Sequence, residues 1–184
     1  MSGRLLLSIC ILLSLLSSCA RVQVSQDYDP SYTFNTAKIY GWNEALQKKD
    51  GGLLVKDDLL RKRFINDINS ILTQNGYQPG EQPDILVSCS FTVTSKFQSE
   101  PFNSGIRFGY GTYGRYGGIG FGSGTSLRQY NQGKLTINFH SRQSGLLIWK
   151  GTGTMEVSTH AKPEQISHDV KTMVSAVLKQ MFTQ

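Results

Sequence analysis

A thiol and an imidazole within reach of each other make a nucleophile, and this chain holds three cysteines and three histidines from which to build one. Their spacing argues against it. His140, His160 and His168 form no His-Glu-x-x-His pair, no two cysteines stand at ligand spacing, and no carboxylate keeps a fixed short spacing from two histidines, so no metal site is expected. Cys89 occupies an apolar position of an alternating run, where burial raises a thiol pKa and keeps the thiolate scarce; it reads as a structural residue. A Gly-x-Ser-x-Gly nucleophile elbow is missing. The expectation is a protein without enzymatic activity or cofactor, with an unrecognised hydrolase kept as a third reading.

Cys19 has a different chemistry open to it. It closes Leu16-Ser17-Ser18-Cys19, which resembles the bacterial lipobox, where two small residues let the peptidase hold an extended backbone and the thiol receives a diacylglyceryl group. The residues before it suit that reading. Met1 to Arg4 is a short basic start, and Leu5 to Leu16 is an apolar run too short to serve as a stable membrane anchor. Residues 1–18 are therefore expected to be a lipoprotein signal peptide, Cys10 is discarded with it, and Cys19 is the lipidation site. The competing reading is an ordinary signal peptide with a chance cysteine. Each buried methylene contributes about 0.8 kcal/mol, so two or three acyl chains hold a protein far more firmly than one. Ala20 follows the cysteine and no Asp stands there. By the sorting rule of enteric-type bacteria this implies a lipid anchor in the outer membrane, facing the periplasm.

The third chemically distinctive segment is rich in glycine. Gly105 to Gly124 interleaves glycine with Arg107, Phe108, Tyr110, Tyr113, Arg115, Tyr116, Ile119 and Phe121, and Gly109 to Gly114 spells a literal Gly-x-Gly-x-x-Gly. A dinucleotide site needs a helix opening directly behind that motif, and more glycine follows instead. Arg and Tyr interleaving also suits stacking on RNA bases, but export removes the RNA, so no nucleic acid partner is expected. Two readings stay open. One is a linker between strands, since glycine is costly to order. The other is a binding loop in which Arg107, Tyr110, Tyr113, Arg115 and Tyr116 meet glycan, lipid or protein, because rings stack on sugars and sit well at interfaces.

The elements that would position these residues follow from periodicity. Val22 and Val24 alternate with polar neighbours up to Tyr28, and Lys38 to Trp42 is a second short strand beyond the turn residues Asp29-Pro30-Ser31. Leu60, Phe64, Ile68, Ile71 and Leu72 mark a helix over 57–75, with Arg61, Lys62, Arg63, Asp67 and Asn69 outward, Asp57 or Asp58 capping and Gly76 stopping it. Ile85, Val87, Cys89, Phe91 and Val93 occupy every second place of a strand running to Phe97. Leu135, Ile137 and Phe139, the turn residues Ser141 to Gly145, and then Leu147, Trp149, Met155 and Val157 describe a β-hairpin. Pro163 opens a last helix whose stripe is Ile166, Val170, Met173, Val174, Val177 and Met181. The expected fold is α+β: a two-layer sandwich of a mainly antiparallel sheet with two helices packed on one face, forming a single domain over 19–184 with the glycine-rich loop at 105–124.

Asp27-Tyr28-Asp29-Pro30, Tyr40 with Trp42, Gly76-Tyr77, Pro83 to Val87, Gly133 to Ile137 and Leu147 to Gly151 occur in that order. The ordered set resembles the domain-of-unknown-function 4136 family of bacterial envelope lipoproteins across nearly the whole chain after the leader. The resemblance implies an α+β fold and no assigned catalytic residue or cofactor. Two departures are the tail Met181-Phe182-Thr183-Gln184, without the prolines of many relatives, and a glycine-rich loop using Tyr and Phe where relatives often use Trp. The chain carries 19 Lys and Arg against 13 Asp and Glu, a formal net charge of +6, one unit of which leaves with Arg4. That balance suits anionic neighbours and equally a solvated basic surface. The leading expectation is thus a membrane-anchored lipoprotein that binds or scaffolds an envelope protein or a glycan polymer. The alternative is a structural outer-membrane coat component without a discrete ligand.

Overall fold

The structure, a computed structural model, describes residues 22–34, 38–50, 54, 56–103 and 123–183. Cys19 and the loop residues Arg107, Tyr110, Tyr113, Arg115 and Tyr116 lie outside the described residues. The elements run β1 (Gln23–Tyr28), β2 (Ile39–Trp42), α1 (Glu44–Asp50), α2 (Asp58–Gln74), β3 (Gln78–Pro79), β4 (Ile85–Asn103), β5 (Ser123–Ser141), β6 (Leu147–Glu156) and α3 (Pro163–Phe182). Among the described residues six strands make one open sheet in the order β1-β6-β5-β4-β2-β3. β4, β5, β6 and β1 pair antiparallel, and β2 pairs parallel with both β3 and β4. This is the expected α+β architecture with a mainly antiparallel sheet, β2 adding the parallel pairings; among the described residues there is also a third, short helix that the apolar pattern did not announce.

One face of the sheet is buried under α2 and α3. Ile85, Val87, Cys89 and Phe91 on β4, Leu135, Ile137 and Phe139 on β5, and Trp149 and Met155 on β6 meet Phe64, Ile68 and Leu72 of α2 and Val170, Met173, Val174, Val177, Leu178 and Met181 of α3. α2 begins where the Asp57 carboxylate accepts from Leu60 N–H at 2.9 Å, and it stops at Gly76, whose φ of 83° a side chain would resist. Pro163 opens α3, as its lost N–H is one the first turn cannot use. Glycine also lets α3 approach closely: a Cβ on Gly153 of β6 would stand 2.6 Å from Val177 Cγ2. The opposite face has no described helix over it and is polar. Ser90, Thr136, Thr152 and Ser25 form one row across β4, β5, β6 and β1.

One side chain departs from its expected place, and another makes a contact that no sequence pattern signalled. Asn69 was expected on the outer face of α2, but its Oδ1 accepts from Tyr40 Oη at 3.0 Å and Trp42 Nε1 at 3.1 Å, tying the helix to β2. Buried Gln47 of α1 clasps β4 where β2 has ended: its Nε2 donates to Cys89 O at 2.7 Å, and Cys89 N–H donates to its Oε1 at 3.0 Å. A single amide side chain thus continues the ladder by one residue.

Candidate functional site

β4 and β5 are far longer than their apolar alternation. Their pairing runs from Ile85 opposite Ser141 out to Asn103 opposite Ser123. Their neighbours stop early. β2 accompanies β4 only to Val87, and β6 leaves β5 at Gln132 opposite Glu156. Beyond Thr94 and Gln132 the hairpin is a two-stranded ribbon, extending roughly 30 Å at the usual rise per residue. Ser123 and Gly124, expected within the loop, belong to β5. The remainder of the glycine-rich segment joins the outer ends of these strands and lies outside the described residues.

The ribbon has two dissimilar faces. Continuing the core side are Ser95, Phe97 and Ser99, opposite Asn131, Gln129 and Leu127. Phe97 and Leu127 are diagonal neighbours, 69% and 71% exposed, and no helix reaches them among the described residues. Ser95 Oγ donates to Asn131 Oδ1 at 2.9 Å. The other face carries Lys96 opposite Tyr130 and Gln98 opposite Arg128, and Arg128 Nη2 donates to Glu156 Oε1 at 2.8 Å. At the root of the ribbon an apolar cavity of about 240 Å³ opens between the helices, with Leu60, Phe64, Phe91, Val93, Ile166 and Met173 among its lining. Among the described side chains of the ribbon, Phe97 and Leu127 are the exposed large apolar ones. The ribbon's chemistry is that of a polar arm with an apolar patch.

The reactive groups are not assembled. Cys89 is 2% exposed, and burial pushes its thiol up to about 12. His140 lies on the polar face of the sheet while Cys89 faces the helices, so the two cannot meet. Burial holds the His140 imidazole below its usual range, and its Nδ1 is buried with no partner among the described residues. His160 and His168 are exposed. Among the described residues no three His, Cys, Asp or Glu side chains are grouped to hold a metal ion, and no helix is long and apolar enough to cross a membrane. Sequence reasoning placed Cys89 correctly but missed Gln47, Asn69 and the outer ribbon. A lone Gln in a polar helix and a run of Ser, Thr and Gln carry no periodic signal, and the few apolar residues among them, such as Phe97 and Leu127, form no alternating run.

A family model described as Domain of unknown function (DUF4136) matches residues 24–181. No curated protein matches the chain. Among solved structures, it is similar to a PDZ domain protein from Parabacteroides distasonis at 13% identity and a TM-score of 0.48, covering 96% of this chain and 40% of that one. It thus spans less than half of that protein's length. It is also similar to a PelC dodecamer from Paraburkholderia phytofirmans, at 11% identity and a TM-score of 0.47, covering 86% of this chain and 96% of that one.

Proposed function

The chain belongs to the DUF4136 family, a domain of unknown function, and on that premise we propose that it is a non-enzymatic lipoprotein of a bacterial envelope. In this reading lipid on Cys19 tethers it, and the outer end of the β4–β5 ribbon holds a partner protein or an envelope polymer. The observation that carries the reading is the ribbon itself: two strands leave the helix-backed sheet and converge on the segment richest in Arg and Tyr. Strand pairing that buries no core yet extends roughly 30 Å has little reason to exist for stability alone. The raised thiol of Cys89 and its separation from His140 support the non-enzymatic part.

Two experiments in intact cells test the two halves. Metabolic palmitate should label the protein and be lost in Cys19→Ser, which should accumulate uncut; label retained in that variant contradicts the anchor. Changing Tyr110, Tyr113 and Tyr116 together to Ser should remove crosslinked partner or glycan while the lipidated protein accumulates normally. Crosslinks unchanged by the triple substitution contradict the binding loop. Wild-type protein that captures nothing in repeated crosslinking favours the coat component without a ligand.

A further inference from the structure

We propose that the free edge of β4 pairs with the same edge of a second copy, joining two domains into one continuous sheet. The argument starts from which way the backbone points. Val87 O accepts from Asn43 N–H at 2.8 Å, and Cys89 N–H and O are held by Gln47, so the odd-numbered residues of β4 direct their backbone groups away from β5. The β4–β5 pairing runs on to Asn103 without a register shift. Phe91, Val93, Ser95, Phe97 and Ser99 therefore present N–H and C=O groups outward, and none of these has a partner among the described residues. Pro101, which lacks the N–H, is the first interruption.

An open edge of this length is a template for another strand, and proteins that avoid such pairing interrupt it with bulges, prolines or inward charges. Only Lys96 stands in this stretch, and it fits rather than blocks an antiparallel copy. Outward groups must face outward groups, so odd positions oppose odd positions. With Ser95 opposite the partner's Ser95 on the two-fold axis, Val93 meets the partner's Phe97 on one face and Thr94 meets the partner's Lys96 on the other. Two apolar pairs form, and no like charges meet. A register centred on Lys96 would oppose two lysines directly, which disfavours it. The same pairing covers Phe97, now 69% exposed. Its centre, Ser95, lies beyond Val87, where β2 stops pairing with β4. This self-complementarity singles out a second copy over an unrelated strand.

The test uses the full chain in detergent, with mass measured by light scattering across a range of concentrations. Wild type should show twice the monomer mass. Ser95→Pro removes one outward N–H and leaves the bonds to β5 in place, so it should halve the mass with the unfolding midpoint nearly unchanged; Ser95→Ala should stay dimeric. Phe97→Lys, at an exposed position that the monomer tolerates, should also halve the mass, which keeps the test valid should the proline variant misfold. Ser95→Cys should form a disulfide-linked dimer on mild oxidation, because buried Cys89 is inert. A wild type that is monomeric at every concentration overturns the proposal, as does a dimer that survives both Ser95→Pro and Phe97→Lys.

Discussion

β4 passes through two environments with one backbone geometry, and the contrast between them separates what holds this protein together from what it has to spare. From Ile85 to Phe91 each inward side chain lies beneath α2 or α3, and as far as Cys89 the backbone groups that point away from β5 are claimed by β2, Asn43 or Gln47. From Thr94 to Asn103 the same strand keeps its pairing with β5 and loses all of those supports. Hydrogen bonds contribute only about 1 kcal/mol each net, and two strands alone are marginal in water. The outer ribbon must therefore lean on the register set by the inner half. Stability belongs to the helix-backed part, and the extended part is free for contact with other molecules.

The contrast is broken most severely by emptying the core. Phe64→Ala, at a residue with no exposed surface that stacks on Phe91 with ring centroids 5.1 Å apart, should cost about 3–5 kcal/mol in denaturant unfolding. A smaller loss should follow Gln47→Ala, which strands the buried N–H and C=O of Cys89; about 1–3 kcal/mol is expected, with faster amide exchange centred on Cys89. Cys89→Ala should cost roughly 1 kcal/mol. In the native protein a thiol reagent should leave Cys89 unmodified at pH 8 and react after denaturation. Burial pushes its folded pKa up to about 12 from the ordinary thiol value of 9.0, so its contribution is fully present below pH 9. That contribution is lost as pH rises from 9 towards 12. The smallest effect belongs to the ribbon, where Phe97→Ser should change stability by no more than about 0.5 kcal/mol. A loss comparable to that of Phe64→Ala would erase the distinction.

The same division explains what could be read from sequence. Alternation and helical stripes report burial, so Ile85 to Val93, Leu135 to Phe139 and most of the apolar stripes of α2 and α3 were legible, as were the stops at Gly76 and Gly145. Pairing without burial leaves no such trace: Ser123 and Gly124 fell within the expected loop, and Gln98 to Asn103 and Thr125 to Leu127 were assigned to no element, although all are strand. The parallel seat of β2 between β3 and β4 was equally silent, being set by contacts such as Tyr40 and Trp42 with Asn69 rather than by a local pattern. Of the candidate site, the aromatic and basic composition of the glycine-rich segment was evident, but the arm that carries it was not.

The most direct test replaces residues 104–122 by a short Gly/Ser turn joining the two strands of the ribbon. Thermal unfolding and crosslinking in intact cells are then measured on the same protein. Loop-closure entropy changes slowly with length, so the unfolding midpoint should stay near that of the wild type while the crosslinked partner or glycan disappears. A large fall in the midpoint, or a partner still captured at the wild-type level, would contradict the division between a domain that folds and an arm that binds.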